Sequence, residues 1–433
     1  MKIVFIAAFS NPEIREHLHF RKESKWYRWL IKMFRLPSRV GEFRDYGSWV
    51  VSMISDLEKR DDIELHVIGP QIRLKQSIQA FQFRGVTYHF FRSEWTSFLR
   101  ILNSYGLWKH LQMSTYYTNK ILEDVKPDLI ILSGAENPAA SVSVLASQKY
   151  PRICLCQTIY NDIVNGVPLK RNPLIQEMEM DIFKRLEYIG VYCRKHYELL
   201  KTHGYRGNIL KFNYPLKGKF IEPQFTKKEF DFVNFALNHS SNKGTHDSIK
   251  ALAIVKKKYP DVTLNIVGGC SDKLRQELDM LISQLDLQNN VVFTPFFERR
   301  SDLFLHIQKS RFAVLPCKLD NISGTMSQSM LLHIPIVVYK TMGTQTFNRE
   351  RRCALVAEMD DVNDLARCML ELMDYPELAD ELKINGRWYR EHKAQMDNDN
   401  WNRFVDSFRY IIDAFNGGSP IPQKFLFNPE IDY

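Results

Sequence analysis

The sequence predicts an α/β fold made of two doubly wound parallel-sheet domains. Three observations carry this. Short, near-continuous apolar runs alternate with helix-like segments along the chain, as strands buried on both faces do. At 433 residues the chain has the length of two domains rather than one. The alternation breaks once, at 213–229, where prolines and lysines come with no apolar period, and then resumes. The expected domains are residues 1–215 and 216–397.

In the first half, strands are predicted at 3–8, 63–68, 86–91, 128–133, 153–156 and 188–192. Each is rich in Ile, Leu, Val or aromatic residues, which suit a buried pleated surface. Helices are predicted at 48–59, 107–125 and 138–148, the last with Pro138 at its first turn, where a missing N–H costs nothing. In the second half, strands are expected at 231–236, 262–267, 291–294, 312–315 and 336–339, with helices at 244–257 and 271–285. Three more helices are expected at 362–373, 377–391 and 398–415.

Hydrophobic content of 45% and charged content of 25% are those of an ordinary globular protein, and no repeat of solenoid period is present. The seven cysteines are scattered. Cys154 and Cys156 form the only close pair, with no His or Cys at zinc-ligand spacing, so reduced thiols in a cytoplasmic protein are expected. No apolar run is long enough to span a membrane, and residues 1–9 read as a first strand rather than a leader.

The net charge of +9 is concentrated. Arg21, Lys25, Arg28, Lys32 and Arg35 follow helical spacing beside Trp26, Trp29, Leu30, Met33 and Phe34. A basic amphipathic helix with aromatic residues is a membrane-surface signature, so residues 20–39 are expected to meet an anionic membrane. The alternative is an insertion that packs its aromatics into its own domain. No nucleic-acid recognition motif accompanies the patch, and nucleic acid is not expected as a partner.

The most informative stretch runs from Leu315 to Tyr339: buried strand, polar loop, helix, proline, buried strand. The loop around Asp320, Asn321, Ile322, Ser323, Gly324 and Thr325 leaves the carboxyl end of a strand and opens a helix. Open α/β sheets bind ligands there, and unpaired helix N–H groups face anions. Asp320 and Gln328 offer hydrogen-bonding ends suited to sugar hydroxyls, and Gly324 permits close backbone approach. An ordinary strand–helix turn capped by Ser323 fits the same residues.

Taken in order, several motifs resemble retaining glycosyltransferases of the GT-B fold, the kind grouped as glycosyltransferase family 4. They are Asn242-Lys243-Gly244, Ile266-Val267-Gly268-Gly269, Val291-Val292-Phe293-Thr294-Pro295-Phe296, and Pro316, Asp320, Gln328, Met330 and Pro335. The resemblance is clearest over 231–373. It implies two Rossmann-like domains facing a cleft, an acceptor-binding first domain and a donor-binding second one. It also implies a terminal segment, 398–433, that crosses back onto the first domain, where Ile411, Phe415 and Phe425 would find a surface.

By the resemblance, Lys243 meets the donor diphosphate and Asp320 holds hydroxyls of the donor sugar, the two taken as the catalytic pair. Gly244, Gly268, Phe296, Ile322, Ser323, Gly324, Thr325 and Gln328 complete the donor site. Two departures stand out. The family's first Glu is Asp320 here and its second is Gln328, and Leu237-Asn238-His239 occupy the place of a second phosphate cation. On the acceptor side, Asp45 and Gly47, then Glu136 and Asn137, then Gln157 follow predicted strands, each also readable as a plain turn and cap.

The implied activity is transfer of a hexosyl group, with retention, from a nucleoside diphosphate sugar. The acceptor would be a saccharide or lipid-linked saccharide at the cytoplasmic face of the membrane, in surface polysaccharide synthesis. No Asp-x-Asp motif is evident, so neither an essential metal nor any cofactor beyond the nucleotide-sugar co-substrate is expected. A non-catalytic relative that binds nucleotide sugars or stabilises a partner is the alternative. A nucleotide-sugar epimerase would need richer His and carboxylate clusters.

Overall fold

The computed structural model describes residues 1–21, 46–71, 74–93, 112–142, 144, 147–164, 167–168, 172–215, 224, 227–318, 323–341, 343–430 and 432. The chain forms two compact units. One is Met1–Lys217 together with Met396–Tyr433; the other is Gly218–Gln395. Both are Rossmann-like α/β layers around a mostly or wholly parallel sheet.

The strands of the first unit are β1 (Lys2–Ile6), β2 (Glu64–Gln71), β3 (Ile78–Phe83), β4 (Val86–Arg92), β5 (Leu129–Ser133), β6 (Arg152–Leu155), β7 (Ile163–Val164), β8 (Val167–Pro168), β9 (Tyr188–Val191) and β10 (Asn208–Lys211). Eight of them form a sheet in the order β10-β9-β6-β5-β1-β2-β4-β3; β7 and β8 pair separately. Only β3 runs antiparallel to its neighbour in that sheet, and it closes one edge. Alternation along β1 explains why both faces are covered. Ile3 and Phe5 point into one core with Val67 and Ile131; Val4 and Ile6 point into another with Ile68 and Leu132.

The first core is finished by the far end of the chain. Trp401, Phe404, Phe408 and Ile411 are buried in it beside Met53 and Leu57 of the helix Ser48–Leu57. Each such side chain contributes about 1.5–3 kcal/mol by leaving water. The Trp401 indole N–H donates to Asp56 at 2.7 Å, which settles its one polar atom. Beyond the last helix, Phe427 N–H donates to the Ile209 carbonyl at 2.8 Å, so the tail binds the edge strand β10.

The second unit holds β11 (Phe230–Asn238), β12 (Leu264–Gly269), β13 (Val291–Thr294), β14 (Ser310–Leu315), β15 (Ile336–Tyr339) and β16 (Leu355–Ala357). They pair in the order β13-β12-β11-β14-β15-β16, all parallel. Helices Thr245–Lys256 and Val362–Asp374 cover one face, with Leu252, Val255, Leu365 and Met369 fully buried. The helix Gly324–Leu331 covers the other through Met326 and Met330.

Some elements differ from expectation. The helices predicted at 377–391 and 398–415 are one helix, Pro376–Asp406, followed after Ser407 by Phe408–Phe415. The sequence between them has no Gly or Pro to stop a helix. The apolar period falters there because the buried face belongs to one unit before Met396 and to the other after it. The helix expected at 138–148 is described only as Pro138–Ser141. The one expected at 107–125 is described as Gln112–Val125.

Candidate functional site

In the second sheet β11 lies between β12 and β14, so the chain leaves these central strands in opposite directions. That is the topological switch point, where the carboxyl ends of an open α/β sheet leave a crevice. Two turns meet there. One is His239 to Gly244 after β11, leading into the helix Thr245–Lys256; the other is Pro316 to Lys318 after β14. The Lys318 N–H donates to the Asn242 carbonyl at 2.9 Å. Gly244 has φ +68°, and a Cβ there would collide with the Pro316 carbonyl oxygen, so only glycine lets the turns close up. Gly268, at the end of β12 with φ +131°, likewise leaves no room for a Cβ against the Ala236 carbonyl.

The Lys243 ammonium is carried by the first turn and lies 3.8 Å from the Cys317 sulfur on the second. Both ring nitrogens of His239 are engaged within the fold. Its Nε2 lies 3.0 Å from the Val267 carbonyl, so Nε2 carries the proton and donates. Nδ1 then accepts from the Thr245 hydroxyl at 2.9 Å. Burial and, less strongly, Lys243 hold the imidazole below its usual pKa. His239 is thus a neutral pin that fixes the start of the helix beside Lys243.

Lys318 is the second lysine of this crevice. It pairs with Asp247 at 2.8 Å and with Asp360. Asp247 also accepts from the Tyr339 hydroxyl at 3.1 Å. Burial works against the charged ammonium, but the two carboxylates outweigh it and raise its pKa. One lysine therefore ties the helix after β11 to the loops after β14 and β16, and Asp247 adds the end of β15. None of these partners was foreseeable from the sequence, since they come together only through strand order.

Ser323 caps the helix Gly324–Leu331, accepting from the Met326 N–H, and its hydroxyl meets that of Thr325 at 2.8 Å. Gly324 is exposed, with no atom within 4 Å of where a Cβ would stand. Gln328 is half-buried on the same helix. Phe296, past the end of β13, is 51% exposed. Asp320 and Ile322 lie outside the described residues, as does Asp45 of the first unit and all of the basic stripe except Arg21.

In the first unit the other sequence-predicted residues line the carboxyl edge of its sheet. Gly47, at φ +72°, caps the helix Ser48–Leu57 and rests on the backbone after β1. Glu136 and Asn137 follow β5, and Gln157 follows β6. The Gln157 carbonyl accepts from the Tyr192 hydroxyl at 3.3 Å. The Glu136 side chain folds back over Gly134, where any Cβ would strike its carboxylate. Burial pushes its pKa up to about 7, against the pull of its own and the Ala135 N–H groups and with a push from Glu179. Glu179, also raised by burial, accepts from the Tyr160 and Asn161 N–H groups, both at 2.7 Å, and so anchors the loop after β6.

Among the described residues, no group of three or more His, Cys, Asp or Glu could hold a metal ion, and no helix is long and apolar enough to cross a membrane. Among the described residues none of the seven cysteines forms a disulfide.

Comparison with known proteins bears on the second unit most directly. Residues 218–388 match the family model described as "Glycosyl transferases group 1". An uncharacterized glycosyltransferase of Haemophilus influenzae is 25% identical over 152 residues, 35% of this chain and 42% of that protein. Another, from Methanocaldococcus jannaschii, is 22% identical over 247 residues, 52% of this chain and 58% of that protein. These matches thus span about half the length of the curated relatives. Among solved structures, sucrose-phosphate synthase from Thermosynechococcus elongatus superposes with a TM-score of 0.64 at 12% identity, covering 95% of this chain and 99% of that one. Anabaena HepE, solved with UDP and glucose, gives 0.61 at 13% identity, covering 94% and 100%. The chain has the GT-B fold, and residues 218–388, within its second unit, match the glycosyl transferases group 1 family model.

Proposed function

We propose that this protein transfers a hexosyl group, with retention, from a nucleoside diphosphate sugar to a saccharide or lipid-linked saccharide acceptor. The second unit would take the donor and the first unit the acceptor. One observation carries the reading: the Lys243-Gly244 turn is locked against the Pro316 turn at the switch point, inside the segment that matches the group 1 family. HepE binds UDP and glucose in a structure of the same fold, which supports a nucleotide sugar here.

In this reading Lys243 stabilises the charge that develops on the leaving diphosphate, and the N–H groups at the start of the helix Gly324–Leu331 assist it. His239 and Lys318 hold the two turns in place, so little reorganisation is needed as the bond breaks. Asp320 and Gln328 hold sugar and ribose hydroxyls; Gln328 does so without charge assistance. A role in surface polysaccharide synthesis, with residues 20–39 at an anionic membrane surface, belongs to the same proposal.

Gln328 also favours a second reading, a nucleotide-sugar-binding protein without catalysis. A thermal-shift screen of nucleoside diphosphate sugars tests the common part, because a ligand of the native state raises the melting temperature. Proton NMR of the stabilising donor with the protein then follows its anomeric signal. Release of an α-sugar from an α-donor supports retaining catalysis. Binding without turnover, even with acceptors present, supports the second reading, and no stabilisation by any donor refutes both.

A further inference from the structure

Asn265 is an unusual residue for its place. It lies within β12, beside Leu264, Ile266 and Val267, and is fully buried. Asn is disfavoured in strands, and an amide taken out of water is costly unless it is hydrogen-bonded. Asn265 meets that demand with two side chains from outside its own strand. Its Oδ1 accepts from the Thr294 hydroxyl at 2.8 Å, and its Nδ2 donates to Nε2 of His306 at 2.7 Å. His306 is then a neutral ring with its proton on Nδ1. Burial, helped by Lys309 and opposed by Glu229, holds the ring below its usual pKa and so keeps it neutral.

The two partners bracket one loop. Thr294 is the last residue of β13, and His306 belongs to the helix Arg300–Ile307. Residues 295–299 run between them. Phe297, within that loop, packs on the His306 ring with centroids 5.1 Å apart. One buried amide thus holds the loop at its start directly and further along through His306. The residue left standing out from this frame is Phe296, half-exposed at the carboxyl edge of the sheet. Its strand β13 is two strand spacings, about 10 Å, from β11, whose following turn carries Lys243. With the diphosphate at Lys243 and the sugar toward β14 and its helix, the β12–β13 side is where the base comes to lie.

Resting on the donor-site reading above, we infer that Asn265 and His306 are positioning residues for the donor's nucleobase: they fix the loop 295–299 so that the Phe296 ring is already placed to stack on the base. Asn265 is enclosed, so it acts through the loop and not on the ligand. A ring fixed in advance has less freedom to lose when the base arrives, which favours binding.

The test is a double-mutant cycle on the full chain. Calorimetry at pH 7.5 measures UDP-glucose, ADP-glucose and GDP-glucose, and the tightest of the three is carried forward. Phe296→Ala is expected to weaken it about tenfold, as the loss of a stacked ring does. His306→Leu should weaken it about fivefold or more, and so should Thr294→Val, which cuts the other tie and serves should His306→Leu fail to fold. Adding either change to Phe296→Ala should cost less than about twofold more, because a ring that is absent cannot be misplaced. Losses that multiply in the double variants overturn the inference, since they mark a general support of the fold. Unchanged binding in the folded single variants, or in Phe296→Ala, overturns it too. If none of the three nucleotide sugars binds the natural protein, the donor-site reading itself fails and this inference falls with it.

Discussion

Replacing Glu136 by glutamine should stabilise the protein, and by an amount that depends on pH. The carboxyl is enclosed, and its pKa moves from 4.5 to about 7. Because the folded value is raised, the protonated acid is the form the fold prefers. Its contribution is fully present below 4.5 and is lost as pH rises through 7. Each pKa unit is worth about 1.4 kcal/mol, so the full loss is about 3 kcal/mol at alkaline pH. Near pH 5.5 only about 1.4 kcal/mol of it has been incurred. Glutamine imitates the protonated acid at every pH. Its stability advantage over the natural protein should therefore grow by about 2 kcal/mol between pH 5.5 and pH 8.5. Urea unfolding of both proteins at several pH values, followed by tryptophan fluorescence, reads this directly. An advantage that stays constant with pH, or falls, would show that Glu136 is already ionised and solvated, and the reasoning about its enclosure would fail.

Three further outcomes are expected. Lys243→Ala should lower donor affinity by about 1.5–3 kcal/mol, the worth of a charge-assisted contact; Gly324→Val should lower it at least as much while leaving the melting temperature unchanged, since nothing in the protein occupies the space of the new side chain. Titrating the donor into each folded variant decides this, and unchanged binding in both moves the donor site elsewhere. Trp401→Ala should cost about 3–5 kcal/mol, because the fully buried ring would leave a cavity and strip Asp56 of its donor. Changing Lys25, Arg28 and Lys32 together to Glu should release the protein from anionic vesicles, each natural cation being worth about 1 kcal/mol at the surface. High salt should do the same. A natural protein that ignores anionic vesicles at low salt refutes the membrane reading of residues 20–39.

The parallel strands were legible because burial on both faces leaves an unbroken apolar run. Val291–Thr294 and Ile336–Tyr339 were bounded to the residue. The edge strand Ile78–Phe83 was not predicted, since Gln79 and Gln82 fall on opposite faces and break its apolar period. The pairs Ile163–Val164 and Val167–Pro168 are too short for any period to show. Asn208–Lys211 was also passed over, having polar residues at both ends. For the candidate sites, Lys243 and Gly244 were singled out by the family resemblance, and Glu136 by its place after a predicted strand. What those residues touch could not be read from the sequence. Lys318 with Asp247, His239 with Val267, and Tyr214 near Glu136 are neighbours through the order of strands in a sheet, and that order is written in no single stretch of sequence.

The first unit is assembled from both ends of the chain. Trp401, Phe404, Phe408 and Phe425 share a core with Ile3 and Phe5, while all of Gly218–Gln395 lies between them in sequence. A ribosome delivers residues in order, so the sheet of the first unit emerges long before the helix that shields one of its faces. Until then that face must remain partly bare, held in a loosely packed state or covered by a chaperone. The second unit, a single uninterrupted segment, has no such wait and can finish folding before the first. Closure of the first unit thus waits on residues made after the whole of the second unit. Premature termination within the final helices would leave a well-formed second unit attached to an uncovered, aggregation-prone sheet.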